Sequence, residues 1–371
     1  MTRRQTLLAF GGSIGVVSSG YAWSERRGLT RADIVPEPTP ELSAQMSSLL
    51  FNASLAPSGH NTQPWVVRTT NDGLAIGSDP SRWLPKVDPG NREMALSIGA
   101  FLENLLIAAP GHGYRPEFTV AASNPTESDL IHVTLTQTTT QTTETGRDVL
   151  ERLRLRRTVR TGQLQRPLSG EDARALTALM KQHAYYFPRE SREGRYLAEG
   201  TIEANRVQAG RDDAQAELGA WIRFRDEDAR SHRDGLTPES MEIPGVAGWY
   251  VRHFMNRESV MGKTFRDQGV DRARQQVANC GGWIVLTSSD LSLGALLETG
   301  RKTERMWLAA RDPRIAIHPM TQMLEESPFR DRIGEELSIA NPIQFVLRVG
   351  YVESYPQPVS LRRPVSTILR A

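Results

Sequence analysis

The apolar residues of this chain fall into short runs whose spacing changes from segment to segment. Over residues 41–55, Leu42, Met46, Leu49, Leu50 and Ala53 share one face, which predicts an amphipathic helix. Residues 65–69 and 74–76 alternate around Asn71-Asp72-Gly73, the signature of a β-hairpin. Residues 97–109 are apolar almost all round and end at Pro110 and Gly111, so a buried helix is expected. Residues 131–135 read as a strand. Residues 136–146 are almost wholly Thr, Gln and Glu, cannot bury a core, and read as a connection between two halves.

Beyond that connection, residues 150–158 and 170–183 look helical. From about 189 to 269 the chain is highly charged, with apolar islands at Trp221-Ile222, Trp249-Tyr250 and Phe254-Met255. This predicts helices interrupted by a lid-like loop near 238–248, with Met241, Ile243, Trp249 and Tyr250 as its apolar residues. Residues 283–287 form a core strand, 294–310 a buried helix and 343–351 another strand. The order strand, apolar helix, strand thus occurs twice. A diverged duplication explains it, since related halves can pack about a pseudo-two-fold axis as dimers do. The same order also arises by chance in α+β proteins.

The first residues follow a different logic. Thr2-Arg3-Arg4-Gln5 precedes an apolar stretch diluted with Gly and Ser, and the first acid is Glu25. This pattern reads as a twin-arginine export signal, with an uncleaved anchor as the open alternative. The expected location is periplasmic, or attached to the outer face of the inner membrane. Gly11-Gly12-Ser13-Ile14-Gly15 matches the hydrolase elbow G-x-S-x-G, but a signal region supplies neither the strand nor the helix that the elbow needs. Residues 36–40 alternate Pro with Glu or Thr and form a stiff linker. The segmentation is therefore 1–35 signal and linker, 41–146 first half, and 147–371 second half with the charged insertion at about 189–269.

Composition narrows the chemistry. Among 371 residues, 45 Lys and Arg nearly balance 43 Asp and Glu, so no electrostatic case exists for a nucleic-acid partner. One cysteine, Cys280, excludes an intrachain disulfide and any CxxC site. The seven histidines are scattered without an HxxxH pair, so no metal is expected.

Three stretches carry candidate chemistry. Ala56-Pro57-Ser58-Gly59-His60-Asn61-Thr62-Gln63-Pro64-Trp65 lies between a helix and a strand. Its small residues leave backbone N–H groups free for a planar or phosphorylated ligand, although an ordinary turn has the same composition. Arg156-Arg157-Thr158-Val159-Arg160 opens the second half, and guanidinium forks suit a phosphate dianion. A basic helix face would look alike. His318-Pro319-Met320-Thr321-Gln322 and Arg362-Arg363-Pro364 complete the set, with a simple loop and an exposed cationic tail as their plainer readings.

The first of these segments resembles the Pro-Ser-x-x-Asn-x-Gln-Pro-Trp signature of the FMN-dependent nitroreductase family at every fixed position. Residues 88–93 and the 97–109 helix are also similar to that family. The closest likeness is to its exported, single-chain, two-half branch (Acg-like), over roughly residues 41–371. The resemblance implies an α+β nitroreductase-like fold whose two related halves form an intrachain pseudo-dimer, monomeric overall. It also implies an FMN site held by Pro57, Ser58, Gly59, Asn61, Gln63, Arg156, Arg157, Thr158, Arg160, Pro319, Met320, Thr321, Gln322 and Arg363. The family's opening has Ser where Thr158 stands and Phe after the last Arg, which Thr161 does not match.

The first half has the loop and the second half the arginine opening, which implies one complete flavin site and one degenerate one. The implied activity is two-electron hydride transfer through flavin N5 to a nitro, quinone or similar acceptor. Its partners would be a small-molecule electron donor and acceptor, besides the export machinery. No residue stands out as a general acid, and His60 reads as a satisfied loop histidine. Export separates the protein from cytoplasmic nicotinamide, so the alternative is an exported protein that binds or sequesters flavin with little or no turnover.

Overall fold

The computed structural model describes residues 28–34, 37–138 and 144–370; the export segment lies outside the described residues. In the first half, α1 (Ala44–Ala53) starts at Ser43, whose hydroxyl accepts the Met46 N–H at 3.1 Å, and buries Leu49, Leu50 and Ala53. Strands β1 (Trp65–Thr69) and β2 (Gly73–Ser78) form the predicted hairpin, with Val67 opposite Ile76. Helix α2 (Arg92–Ala108) begins five residues earlier than the apolar run. The Asp88 carboxylate accepts the Arg92 and Met94 N–H groups at 2.8 and 3.0 Å and so holds the start. Strands β3 (Tyr114–Val120) and β4 (Ile131–Gln137) complete an antiparallel sheet in the order β1-β2-β4-β3. β3 sits at the sheet edge, where Pro116 is tolerated, and its Pro and charges hid it from the apolar pattern.

Helix α3 (Glu144–Leu155) leads into the second half. It stops at Leu155, three residues short of expectation, so the Arg156–Arg160 run is irregular chain rather than a helix face. Helix α4 (Gly170–Ala178) and strand β5 (Ala184–Pro188) follow, the latter too short and too proline-flanked to stand out. The charged insertion folds into α5 (Arg192–Gly210), α6 (Asp212–Trp221), α7 (Asp226–His232), α8 (Gly245–Phe254) and α9 (Lys263–Ala278). The expected lid loop is shorter than predicted, because Trp249 and Tyr250 belong to α8. Strand β6 (Gly282–Thr287), helix α10 (Leu293–Ala310), and strands β7 (Ile315–Pro319) and β8 (Ile343–Tyr351) complete the half. Between β7 and β8 lie the short α11 (Gln322–Glu325) and α12 (Phe329–Glu336).

The second sheet runs β5-β6-β8-β7, the same order as the first. In each half, the long buried helix connects the second strand to the third. A shift of 201 residues carries Leu96, Gly99 and Glu103 of α2 onto Leu297, Gly300 and Glu304 of α10, and Tyr114 opening β3 onto Ile315 opening β7.

The two helices cross on these matched positions. A Cβ on Gly99 would lie 2.2 Å from the Leu297 carbonyl oxygen, and one on Gly300 2.0 Å from that of Leu96. Glycine is required at both positions because backbone meets backbone. One apolar core runs through the crossing, joining Ile98, Phe101, Leu102 and Leu105 to Leu293, Leu296 and Leu297. The chain end ties the halves again: the Arg370 N–H donates to the Val67 carbonyl at 2.8 Å, beside a parallel bridge from Leu369 to Val67.

Candidate functional site

The helix crossing forms one wall of a chamber of about 360 Å³. Leu96, Ser97 and Ala100 of α2 face Gly300, Thr303, Glu304 and Trp307 of α10. Pro57, Ser58, Gly59 and His60 close one edge, and Pro319, Met320, Thr321 and Gln322 another. The charged insertion provides the remaining wall through Gln208, Leu236, Met241, Arg272 and Gln276. A smaller chamber of about 110 Å³ adjoins it, and both are lined by Pro57, Ser58, His60, Thr158, Arg160 and Leu236. An open groove of about 1060 Å³ shares Arg160, Arg272 and Gln276 with the wide chamber.

The smaller chamber is lined by five arginines: Arg31, Arg156, Arg157, Arg160 and Arg362. Carbonyls and two carboxylates satisfy only part of their hydrogen-bonding capacity. Arg156 donates to the Leu55 carbonyl at 2.8 Å, its Nε lies 3.3 Å from Glu304, and its guanidinium sits over the Trp307 ring at 5.3 Å. Glu242 accepts from Arg157 Nη2 at 2.8 Å, the Arg160 N–H at 3.1 Å and the Thr161 hydroxyl at 2.6 Å. Arg362 donates to the Leu55 and Ala56 carbonyls and to Asn61 Oδ1.

Arg31 Nη1, Arg156 Nη1, Arg157 Nε and Arg362 Nε remain buried without a hydrogen-bond partner. Burial, together with Arg156 and Arg157, lowers the Arg31 pKa to about 9, and burial pushes Arg362 well below its ordinary value. Unmatched donors on crowded cations are what a multivalent anion would satisfy, and a phosphate monoester matches them by charge.

The signature loop is strained where it turns. His60, Asn61 and Gln63 have φ of 46°, 54° and 52°, a left-handed conformation costly for side-chain-bearing residues. Several bonds hold it there. Ser58 Oγ accepts the Gln63 N–H at 2.9 Å, and the Asn61 amide donates to the Gly235 and Leu361 carbonyls. The Gln63 amide donates to the Arg233 carbonyl and accepts the Arg363 N–H, both at 2.9 Å. The Arg363 guanidinium in turn donates to the Gln63 and Thr367 carbonyls.

Of the residues that the sequence singled out, Pro57, Ser58, Thr158 and Arg160 line both chambers. Gly59, Pro319, Met320, Thr321 and Gln322 line the wide one, and Asn61, Arg156 and Arg157 the small one. Gln63 and Arg363 line neither; their polar groups hold the loop from behind. Arg362, rather than its neighbour, reaches the arginine cluster. His60 is not a satisfied loop residue: its Nδ1 is buried without a partner, and burial, aided by Arg160, lowers its pKa to about 4. Its imidazole is therefore neutral.

Sequence reasoning missed Arg31, Arg272, Gln276, Glu93, Glu304 and Glu325, which come from three separate regions of the chain. Two carried a readable signal: Glu93 closes the 88–93 stretch likened to the family, and Glu304 is a charged residue inside an apolar helix at the place of Glu103 in the other. Burial raises its pKa to about 7, against the pull of Arg156. With the Asn104 amide oriented to satisfy both neighbours, its nitrogen donates to Glu304 Oε1 at 3.1 Å and its oxygen accepts the Ala56 N–H at 3.0 Å.

Fold and site together describe a mixed helix-and-sheet protein with an anion-ready cavity beside a helix crossing. Curated relatives point the same way. Over 332 residues, 87% of this chain and 90% of the other, it is 26% identical to a protein of Mycobacterium tuberculosis provisionally named an NAD(P)H nitroreductase. Over 310 residues, 80% of this chain and 86% of the other, it is 24% identical to PigM of Serratia sp., which carries the same provisional name. No protein-family model matches the chain. These similarities support the nitroreductase family and an oxidoreductase function of that type.

Proposed function

We propose that this protein binds one FMN per chain and transfers two electrons from a dihydronicotinamide-type donor to a nitro, quinone or similar acceptor. The observation that carries this reading is the arginine-lined chamber opening into a wider, partly apolar one. Arg31, Arg156, Arg157, Arg160 and Arg362 would hold the phosphate, with Thr158 and Ser58 at the junction. The wide chamber, with Leu96, Ala100, Trp307 and Met320 among its walls, would take the planar ring. When bound, the flavin supplies the hydride chemistry, and the protein supplies binding, orientation and electrostatics. Neutral His60 and His318 leave the positive charge of the cavity to the arginines. The open groove beside Arg160 and Arg272 gives donor and acceptor a route in.

In this reading the halves act as an intrachain pseudo-dimer, supported by the matched sheet orders and the matched glycines at the crossing. The first residues would direct twin-arginine export, and the folded protein would work as a monomer on the periplasmic side. A flavin-holding role with little turnover is the second reading. The Glu242 bonds favour it, because they latch the insertion over Arg157, Arg160 and Thr161. Reconstitution with FMN and with riboflavin, followed by NADPH addition under anaerobic conditions, tests both. FMN binding much tighter than riboflavin binding, with bleaching of the flavin band, is the expected result. Equal affinity for the two ligands contradicts the phosphate chamber, and an unbleached spectrum favours the second reading.

A further inference from the structure

One edge of the wide chamber carries two acids with no role in the function proposed above. Glu93 lies in the first turn of α2, and Glu325 ends α11; both line the chamber. The Thr321 hydroxyl donates to Glu325 Oε1 at 3.1 Å and lines the chamber together with both acids. Glu93 Oε1 pairs with Arg92 Nη2 at 2.7 Å. Its Oε2 faces the signature loop, 3.7 Å from where a Gly59 Cβ would stand. Glu325 Oε2 accepts from the Gln208 amide at 2.5 Å.

The charge balance around these acids is uneven. Glu93 has a cation at hydrogen-bond distance, whereas Glu325 is hydrogen-bonded to the neutral Thr321 and Gln208 and feels Arg92 only without a bond. Arg211, the nearby cation on the α5 side, is spent on Glu326 at 2.6 Å and on Asp213. Asp88 adds negative charge at the start of α2. From the other walls, Arg160 and Arg272 are cationic and His60 and His318 neutral. Burial first, and then the Glu93 charge, raises the Glu325 pKa to about 8. Two buried carboxyls that act on one another cannot both ionise without penalty.

We propose that Glu325 and Glu93, which line one edge of the chamber with Thr321, hold one proton between them and give it to the oxygen of an acceptor bound in the chamber. The idea rests on the reading of the cavity as an acceptor site. A quinone carbonyl that gains a hydride equivalent, two electrons and one proton, becomes a hydroquinone monoanion. The carboxyl O–H bond then breaks, its proton completes the neutral hydroquinone, and the pair keeps the negative charge until water returns a proton. The donor, a dihydronicotinamide, supplies both electrons, so the step needs no other reductant.

Infrared difference spectra of the oxidised, FMN-loaded full chain in H2O and D2O, without any donor, read the pair directly. A deuterium-sensitive protonated-carboxyl component is expected at pH 7. In a Glu304→Gln background, which removes the other buried carboxyl that titrates near 7, it should persist, titrate away near pH 8, and vanish when Glu325→Gln is added. Its absence from the Glu304→Gln protein, or its persistence in a folded variant carrying both Glu304→Gln and Glu325→Gln, overturns the proposal.

Stopped-flow kinetics with menadione as acceptor gives the second readout. Glu325→Gln should slow the acceptor half-reaction roughly 100-fold, remove its solvent isotope effect, and spare the donor half-reaction. Equal slowing of both half-reactions contradicts a proton store. A wild-type protein that oxidises no donor would sink the proposed function alone, because the infrared component still decides the carboxyl pair.

Discussion

The two sides of the α2–α10 crossing are built on matched positions and end in opposite states. On the cavity side, Glu304 meets Arg156 from the loop that opens the second half, and Ala100 leaves room for a chamber. On the other side, Glu103 is held by two arginines of α10: Arg301 at 3.0 Å and Arg305 at 2.5 Å. Arg301 occupies the position that matches Ala100, and its guanidinium covers the Phe118 ring at 4.7 Å. Phe118 matches Pro319 under the same shift of 201 residues. One frame thus yields an open site where small residues and distant arginines converge, and a closed one where local arginines and an aromatic ring fill the space. The frame is shared, and the side chains set on it, Ala100 on one side against Arg301 on the other, differ.

The comparison can be broken most severely at its shared point. Gly99→Val and Gly300→Val should each destabilise the protein by about 3 kcal/mol or more in chemical denaturation, because a side chain there meets backbone. The milder Gly300→Ala should also weaken FMN binding, whereas Gly99→Ala should affect stability alone.

Removing two arginines on the cavity side and one on the other gives the next contrast. Arg156→Ala leaves Glu304 buried without its cation, so a loss of about 3 kcal/mol of stability is expected together with weaker FMN binding. Arg362→Ala, read by FMN titration, should weaken binding by roughly 10- to 100-fold through one lost charged contact. Arg301→Ala leaves Glu103 with Arg305, so only about 1 kcal/mol should be lost and FMN affinity should not change.

A pH series sharpens the asymmetry further. The folded pKa of Glu304 stands above its ordinary value, at about 7, so its contribution to stability is complete below the unfolded value. It is lost as pH rises through about 7. Glu304→Gln should therefore flatten the fall in denaturation midpoint between pH 4.5 and 7.

The smallest effects belong to the loop supports. Gln63→Ala and Arg363→Ala should each cost about 1 kcal/mol in thermal or chemical unfolding, with a lesser change in FMN affinity. A loss of affinity without loss of stability would return both residues to direct ligand contact.

The parts of this architecture legible in the sequence were those that depend on periodicity. Helices α2 and α10, strands β6 and β8, and the β1–β2 hairpin each bury a continuous apolar run, and each was read within a few residues. Strands β3 and β5 escaped because they sit at sheet edges, where Pro116 and Pro188 and exposed charges are tolerated. The Arg156–Arg160 run was readable as chemistry but not as shape, since the end of α3 at Leu155 depends on tertiary contacts such as Arg311 donating to the Leu155 carbonyl at 2.7 Å.

In the site, the loop and the arginine opening were visible because each is contiguous. The roles of Arg31, Arg272, Glu93 and Glu325 were not, because they come from distant segments and meet only after folding. The distinction between Arg362 and Arg363 was equally hidden. Adjacent residues on extended chain point opposite ways, and only the fold decides which faces the chamber.

Titration of the purified full chain with FMN, read by visible absorbance and by the flavin retained after dialysis, tests the central claim most directly. The account predicts saturation at one FMN per chain, with the same stoichiometry in Arg301→Ala. Two flavins per chain, or none retained by folded protein, would contradict it.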